Sequence, residues 1–172
     1  MLAEAGAFRD HVMTELIEGE IWILSPIHSW HARTTAEIAY QITSSLRESG
    51  LDLRTFLAVS VALSDDSVPE PDVSVGTHDA GDVDKPLART ALRLAVEVSD
   101  STLQFDLERK TRLYGRAGVP EYWIVARDGA RVIQQWSPTA DGYAERREVP
   151  FGRRLTSETI RDLAIDTTSL LS

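Results

Sequence analysis

The amino-acid sequence predicts an α/β (α+β) chain, a mixed β-sheet core flanked by helices with an N-terminal β-hairpin. Three observations predict it. Apolar runs of strand length recur, clearest in ALRLAVEV (91–98) and EYWIVA (121–126). Between those two lies a segment of helical spacing, about four turns long. Strand, helix, strand is a βαβ unit, expected to be right-handed with its strands parallel. Finally, the turn dipeptides Glu18-Gly19 and Asp128-Gly129 mark hairpins before and after it.

The elements follow in order. ELIEGEIWIL (15–24) reads as two short strands around Glu18-Gly19. After Pro26, His31, Thr35, Ile38 and Ile42 recur at helical spacing, and Gly50 supplies the stop. Leu53–Leu63 alternates loosely and is partly β-branched, which predicts a strand. SDDSVPEP is a loop, and PDVSVG (71–76) is a short strand opening at a proline. Residues 77–90 read as a polar connection before the strand at 91–98. Ser101 with Gln104 three residues on fits a capping box, so a helix is predicted to run to about Ala117, with Gly118 as its stop. The strand 121–126 should pair back on 131–137 through Asp128-Gly129, residues 142–149 can add an edge strand, and 155–172 closes one end.

Composition narrows the class of protein. The 172 residues suffice for one domain, 1–172, with a sizeable core, and 42% are apolar. Lys and Arg number 18 against 27 Asp and Glu, a net charge of −9, which argues against non-specific polyanion binding by the bulk surface but leaves room for a local basic groove. Without cysteine there is no disulfide and no thiolate metal site. No signal peptide is apparent at MLAEAGAFRD, and no apolar run approaches the roughly 20 residues of a membrane span. A cytoplasmic protein without membrane contact is expected.

One strand breaks its own pattern. Alternation puts Leu92, Leu94, Val96 and Val98 on one face and Arg93, Ala95, Glu97 and Ser99 on the other. A central strand is usually apolar on both faces, so Glu97 either faces solvent or belongs to a site. In the following helix, Leu103, Asp106, Lys110, Leu113, Tyr114 and Ala117 fall on one stripe, so Asp106 and Lys110 share the face turned to the sheet. A charged pair there needs partners. The plain reading is a self-shielding i,i+4 ion pair; the sharper one is that Glu97, Asp106 and Lys110 meet at the strand end. Asp72 supports the second. If strands 71–76 and 91–98 pair antiparallel, Asp72 and Glu97 share a sheet end, although an Asp after Pro is most often a loop cap. Two carboxylates and a lysine outline a phosphodiester hydrolysis site, since Mg²⁺ or Mn²⁺ takes a few carboxylate oxygens and keeps its waters.

VPEPDVSV, LAVEVSDST, the D-x-x-x-K of Asp106 and Lys110 with Tyr114, and GVPEYWIV resemble the Uma-two family of restriction-endonuclease-like proteins, within the PD-(D/E)xK nuclease superfamily. ELIEGEIWILSP followed by a His-headed helix is similar too, so the resemblance spans roughly residues 12 to 165. It implies a restriction-endonuclease-like fold. It also implies a metal-dependent nuclease with Mg²⁺ or Mn²⁺ as cofactor and nucleic acid, DNA foremost, as substrate. Asp72 matches the Asp of the PD element and Glu97 the second acidic residue. The usual lysine two residues on is replaced by Ser99, which points to Lys110 on the next helix as the catalytic lysine. Asp106 matches a family position that holds this lysine or a second metal, and the Val98 carbonyl would be the extra metal ligand. Ala126 stands where the family commonly has Asp, which leaves that strand end without a carboxylate.

Weaker candidates remain. His31 matches the family's helix-start histidine, but a satisfied core or capping role is the plainer reading. Glu37 lies beside the same stripe, where some superfamily members place a metal-completing glutamate. Arg109, Arg112 and Arg116 form a stripe able to contact phosphates, with Arg146, Arg147, Arg153 and Arg154 elsewhere; scattered solvated charge is the plainer alternative. Tyr122 and Trp123 are expected in the core. A homodimer would set two sites on opposite strands. The competing class of function is a binding or regulatory module on a catalytically weak or inactive nuclease fold, which the net charge favours.

Overall fold

A computed structural model describes residues 14–23, 27–77 and 84–171. Leu24, residues 78–83 of the predicted polar connection and the N-terminal ten residues lie outside them. Six strands form the central sheet in the order β10-β9-β8-β7-β5-β3: β3 (Leu53–Leu57), β5 (Val73–Thr77), β7 (Leu92–Ser99), β8 (Glu121–Ala126), β9 (Arg131–Thr139) and β10 (Gly142–Pro150). Only β7 and β8 are parallel; the other neighbours are antiparallel. The sheet is therefore mixed, as predicted, and the one parallel pair is the predicted βαβ unit.

The N-terminal hairpin is a separate ribbon, β1 (Thr14–Ile17) with β2 (Glu20–Ile23), turning through Glu18 and Gly19, both at positive φ. It is pinned to the loop before β5: the N–H of Val68 donates to the Leu16 carbonyl at 2.7 Å and the Gly19 N–H to Asp66 at 2.8 Å. Helix α1 (Ser29–Glu48) follows and ends before Gly50, at φ 65°. Its Ile38, Ile42 and Leu46 bury against Val73, Val75, Leu94, Val96, Trp123 and Val125 on one face of the sheet. Ala95, Tyr122, Ile124 and Ile133 face the other way, under Leu113 and Tyr114. From Leu94 onward, alternation on β7 and β8 thus feeds two cores, and each fully buried aliphatic or aromatic side chain contributes about 1.5–3 kcal/mol. Leu92, expected on the face of Leu94, lies instead in the core of Ala95 and Tyr122, because the pairing with β5 shifts register between Val75 and Gly76.

Four expectations about individual elements need correction. The strand expected over Leu53–Leu63 is broken into β3 and a two-residue β4 (Val61–Ala62), with Ala58 between them at φ 45°, a left-handed backbone that no strand continues through. The polar connection contains a second short strand, β6 (Leu87–Ala88), parallel to β4. The capping box at Ser101 does not form. Thr102 is the first flanking residue, and its hydroxyl turns to the Asp106 side chain instead of the backbone. The helix after β7 is also not uniform: α2 (Leu103–Phe105) and α3 (Thr111–Arg116) are joined by a wider π-type turn, Asp106–Lys110. Such turns occur mostly as single insertions in helices, and frequently at functional sites.

Helix α3 packs tightly on the β9–β10 hairpin. A Cβ on Gly115 would lie 2.0 Å from the Gly142 carbonyl oxygen, so only glycine fits there. The C-terminal segment, β11 (Arg154–Thr156), β12 (Ala164–Asp166) and a 3₁₀ turn, closes the α1 face with Leu155, Ile160, Leu163, Ile165 and Leu170. No helix among the described residues is long and apolar enough to cross a membrane.

Candidate active site

The carboxyl end of β7 opens into a cleft of about 330 Å³. Asp72, Glu97, Val98, Asp106, Lys110 and His31 all line it, as do Glu15 and Glu70. Antiparallel pairing of β5 with β7 sets Val73 opposite Val96, which carries Asp72 beside Val98. The Val98 N–H donates to Asp72 Oδ2 at 2.7 Å. In a strand a residue's carbonyl points to the same edge as its N–H, so the Val98 carbonyl also faces Asp72. From α1, His31 Nε2 lies 3.2 Å from the same Asp72 oxygen. His31 is therefore at the cleft rather than in the core, and His28 rather than His31 flanks the helix start.

Glu97 is 5% exposed, on the face covered by α3. Its Oε1 accepts from Lys110 Nζ at 2.9 Å and from the Tyr114 hydroxyl at 2.8 Å. Lys110 turns a second donor to Glu15 Oε1 at 3.0 Å, which also accepts the Glu70 N–H at 2.8 Å. Glu15 is 1% exposed, and its Oε2 is buried without a hydrogen bond. This residue escapes the sequence reading, yet a signal was present. Period two in Thr14-Glu15-Leu16-Ile17 puts Glu15 on the same face as the fully buried Ile17.

The i,i+4 ion pair between Asp106 and Lys110 is absent. Asp106 Oδ2 instead accepts from Ser99 Oγ at 2.6 Å and Thr102 Oγ1 at 2.8 Å, which ties the helix start to the end of β7. The wider turn offsets the two side chains, so Lys110 reaches across to the hairpin and β7. Glu37 is not at the cleft: it accepts from Gln41 on α1 at 2.8 Å and lines a different surface hollow with Arg33 and Ser169. The arginine stripe is largely engaged. Arg109 pairs with Glu18 at 3.1 Å and Glu20 at 2.7 Å and lies over the Trp22 ring, Arg116 pairs with Glu18 at 3.3 Å, and Arg112 is exposed. Arg109 and Arg116 thus brace the hairpin, while Arg146 and Arg147 sit on β10 at the far edge of the sheet, paired with Glu148 and Glu158. Tyr122 and Trp123 are fully buried.

Electrostatically the cleft carries excess negative charge. Burial pushes Glu97 well above the usual carboxylate range; Lys110 pulls it down, while Asp72, Glu15 and Asp106 push it further up. Burial also raises Asp106 and Glu70. The hydrogen bond to Asp72 raises His31 above its ordinary 6.5, against partial burial. Burial works to discharge Lys110, but Glu97, Glu15 and Asp106 more than offset it and hold the ammonium charged. A site with this balance favours an added cation.

The donor set fits a hard divalent ion. Among the described residues, Asp72 and Glu97 receive all their hydrogen bonds on one oxygen each, Oδ2 and Oε1. That leaves one oxygen on each without a hydrogen bond among the described residues. No group of three or more His, Asp or Glu among the described residues can hold a metal alone. An ion here would rest on two carboxylates and a carbonyl, with water and substrate oxygens completing the shell, as Mg²⁺ commonly does.

Comparison with known proteins adds family and fold. The family model described as "Uma2: Putative restriction endonuclease" matches residues 3–168. A solved structure, a "putative nuclease belonging to DUF820" from Anabaena variabilis, is 17% identical with a TM-score of 0.71, covering 91% of this chain and 88% of that one. At that identity it establishes the fold. None of the curated proteins matches.

Proposed function

Because the chain belongs to the Uma2 family of putative restriction endonucleases, we propose that it is a metal-dependent endonuclease hydrolysing phosphodiester bonds, with DNA as the foremost substrate and Mg²⁺ or Mn²⁺ as cofactor. One observation carries this reading: Asp72, Glu97 and Lys110 come from three separate segments and line a single cleft. Asp72, Glu97 and the Val98 carbonyl would hold the ion. When bound, it supplies a water of lowered pKa and offsets the charge that develops on the phosphoryl oxygens.

The chain's own residues do the rest. Glu97 and Glu15 keep the Lys110 ammonium charged and fixed at the cleft wall. From there it stabilises the attacking hydroxide and the pentavalent phosphorus species, a contribution that is large where water is excluded. His31 and the Val98 N–H both hold the Asp72 Oδ2 oxygen and so orient the carboxylate. Asp106 acts through position, locking Ser99 and Thr102 so that the helix presents Lys110 to Glu97. A homodimer would supply two such sites for the two strands of a duplex.

The test is Mg²⁺- or Mn²⁺-dependent cleavage of plasmid by the purified protein beside Asp72→Ala and Lys110→Ala. Loss of cleavage in both variants is the expected result. Equal residual cleavage in wild type and variants marks contamination and removes the mechanism. A second reading, a binding module on this fold, draws support from Lys110, whose side chain is 6% exposed and already engages two carboxylates. Calorimetric titration with Mn²⁺ separates the two, since no heat at millimolar metal favours the module.

A further inference from the structure

The cleft has two unlike walls. One part carries Lys110 among the carboxylates of Glu15, Glu70, Asp72, Glu97 and Asp106, a floor that takes a phosphate only with the divalent ion proposed above, while the lip is apolar: Trp22 and Ile23 from β2, Ile27 before α1, and Phe105 from α2. Ile23 is 56% exposed and Ile27 is 50% exposed, and Trp22 and Phe105 pack at 4.7 Å between ring centroids. Two well-exposed isoleucines beside a charged floor call for an occupant that is ionic at one end and flat and apolar at the other.

The charge pattern narrows the choice. Phosphate contacts supply most nucleic-acid affinity when a basic surface is present. Here the net charge is −9, and Arg109 and Arg116 nearest the hairpin are held by Glu18 and Glu20. With few free cations at the hairpin, base contact carries a larger share of the affinity, and it is worth most for unpaired strands. A cleft of about 330 Å³ lies at the small end of ligand pockets, which run from about 300 to 1,000 Å³. That volume suits one nucleotide.

We propose that the cleft takes a single unpaired nucleotide, its phosphate on the floor and its base against Ile23, Ile27 and Phe105. This rests on the phosphodiesterase reading above and specifies its substrate: single-stranded, frayed or extruded nucleic acid rather than intact duplex. A base drawn out of a helix to reach such a pocket costs a few kcal/mol, least where pairing is already lost.

Anisotropy titration of a short labelled oligonucleotide, single-stranded and as a duplex, in Ca²⁺ tests it. Single strand is expected to bind at least tenfold tighter. The log–log salt slope should be shallower than about −2, since few phosphates are neutralised. Ile23→Ser with Ile27→Ser, both exposed, should weaken single-strand binding at least tenfold while leaving the Mn²⁺ heat unchanged. Equal or tighter duplex binding, a steep salt slope, or an unaffected double variant would overturn the proposal. So would sedimentation showing that the double variant turns a dimer into a monomer, because the lip would then be a subunit interface. Single-strand binding without cleavage sinks the nuclease reading and leaves this one; cleavage without strand preference does the reverse.

Discussion

Glu97 and Glu121 are both buried carboxylates on adjacent central strands, facing opposite sides of the sheet, yet they are treated in opposite ways. Glu121 is 0% exposed and receives six hydrogen bonds from neutral donors. Trp123 Nε1 and Gln134 Nε2 meet one oxygen. Ser157 Oγ, Thr159 Oγ1 and the N–H groups of Glu158 and Thr159 meet the other. Both oxygens are satisfied, and the group pins the C-terminal segment to β8. Glu97 has two donors on one oxygen, one of them an ammonium, and opens on a cleft. Burial does not distinguish the two carboxylates; saturation by neutral donors does.

The contrast can be broken most forcefully at Glu121. Glu121→Ala strands several buried donors and is expected to cost about 3–5 kcal/mol in urea unfolding, while cleavage per folded molecule stays unchanged. A stable variant that no longer cleaves would erase the distinction. Glu97→Gln should do the reverse, with cleavage falling on the order of a hundredfold while the variant still unfolds cooperatively.

The pH dependence of the metal-free protein sharpens the same contrast. Because burial raises Glu97 above 4.5, the folded chain binds more protons than the unfolded one just above that pH. Stability should therefore fall as pH rises from 4.5, and Glu97→Gln should flatten that slope. The His31 contribution has the same sign higher up: complete below 6.5 and lost as pH rises through the raised folded value, which His31→Gln would abolish. Both slopes are read from denaturant midpoints across a pH series. The smallest effect belongs to the hairpin brace. Glu18→Ala removes partly exposed pairs with Arg109 and Arg116 and should cost no more than about 1 kcal/mol in a double-mutant cycle.

Much of this was legible because period-two and helical spacing are geometric properties of the chain. They placed β7, β8, α1 and both hairpins, and antiparallel pairing then brought Asp72 to Glu97. What stayed hidden depends on single dihedrals or on contacts between distant segments. Ala58 at φ 45° ends β3 where propensity would continue it. Thr102 spends its hydroxyl on Asp106, so the capping box fails. Glu15 needed the hairpin to fold over Lys110 before its role existed, and His31 needed α1 to start beside Asp72. Glu121 looks in sequence like any strand-end glutamate.

The widened turn at Asp106–Lys110 also makes the lysine's aim a matter of counting. Each α-helical residue advances about 100°, so deleting the exposed Glu108 would not merely shorten a surface. It would rotate everything before it by nearly a third of a revolution against everything after: either α3 and Lys110 keep their seat and Asp106 swings away from Ser99, or the helix start holds and the ammonium turns away from its two glutamates. Insertions and deletions here should therefore disable the chain more reliably than most substitutions.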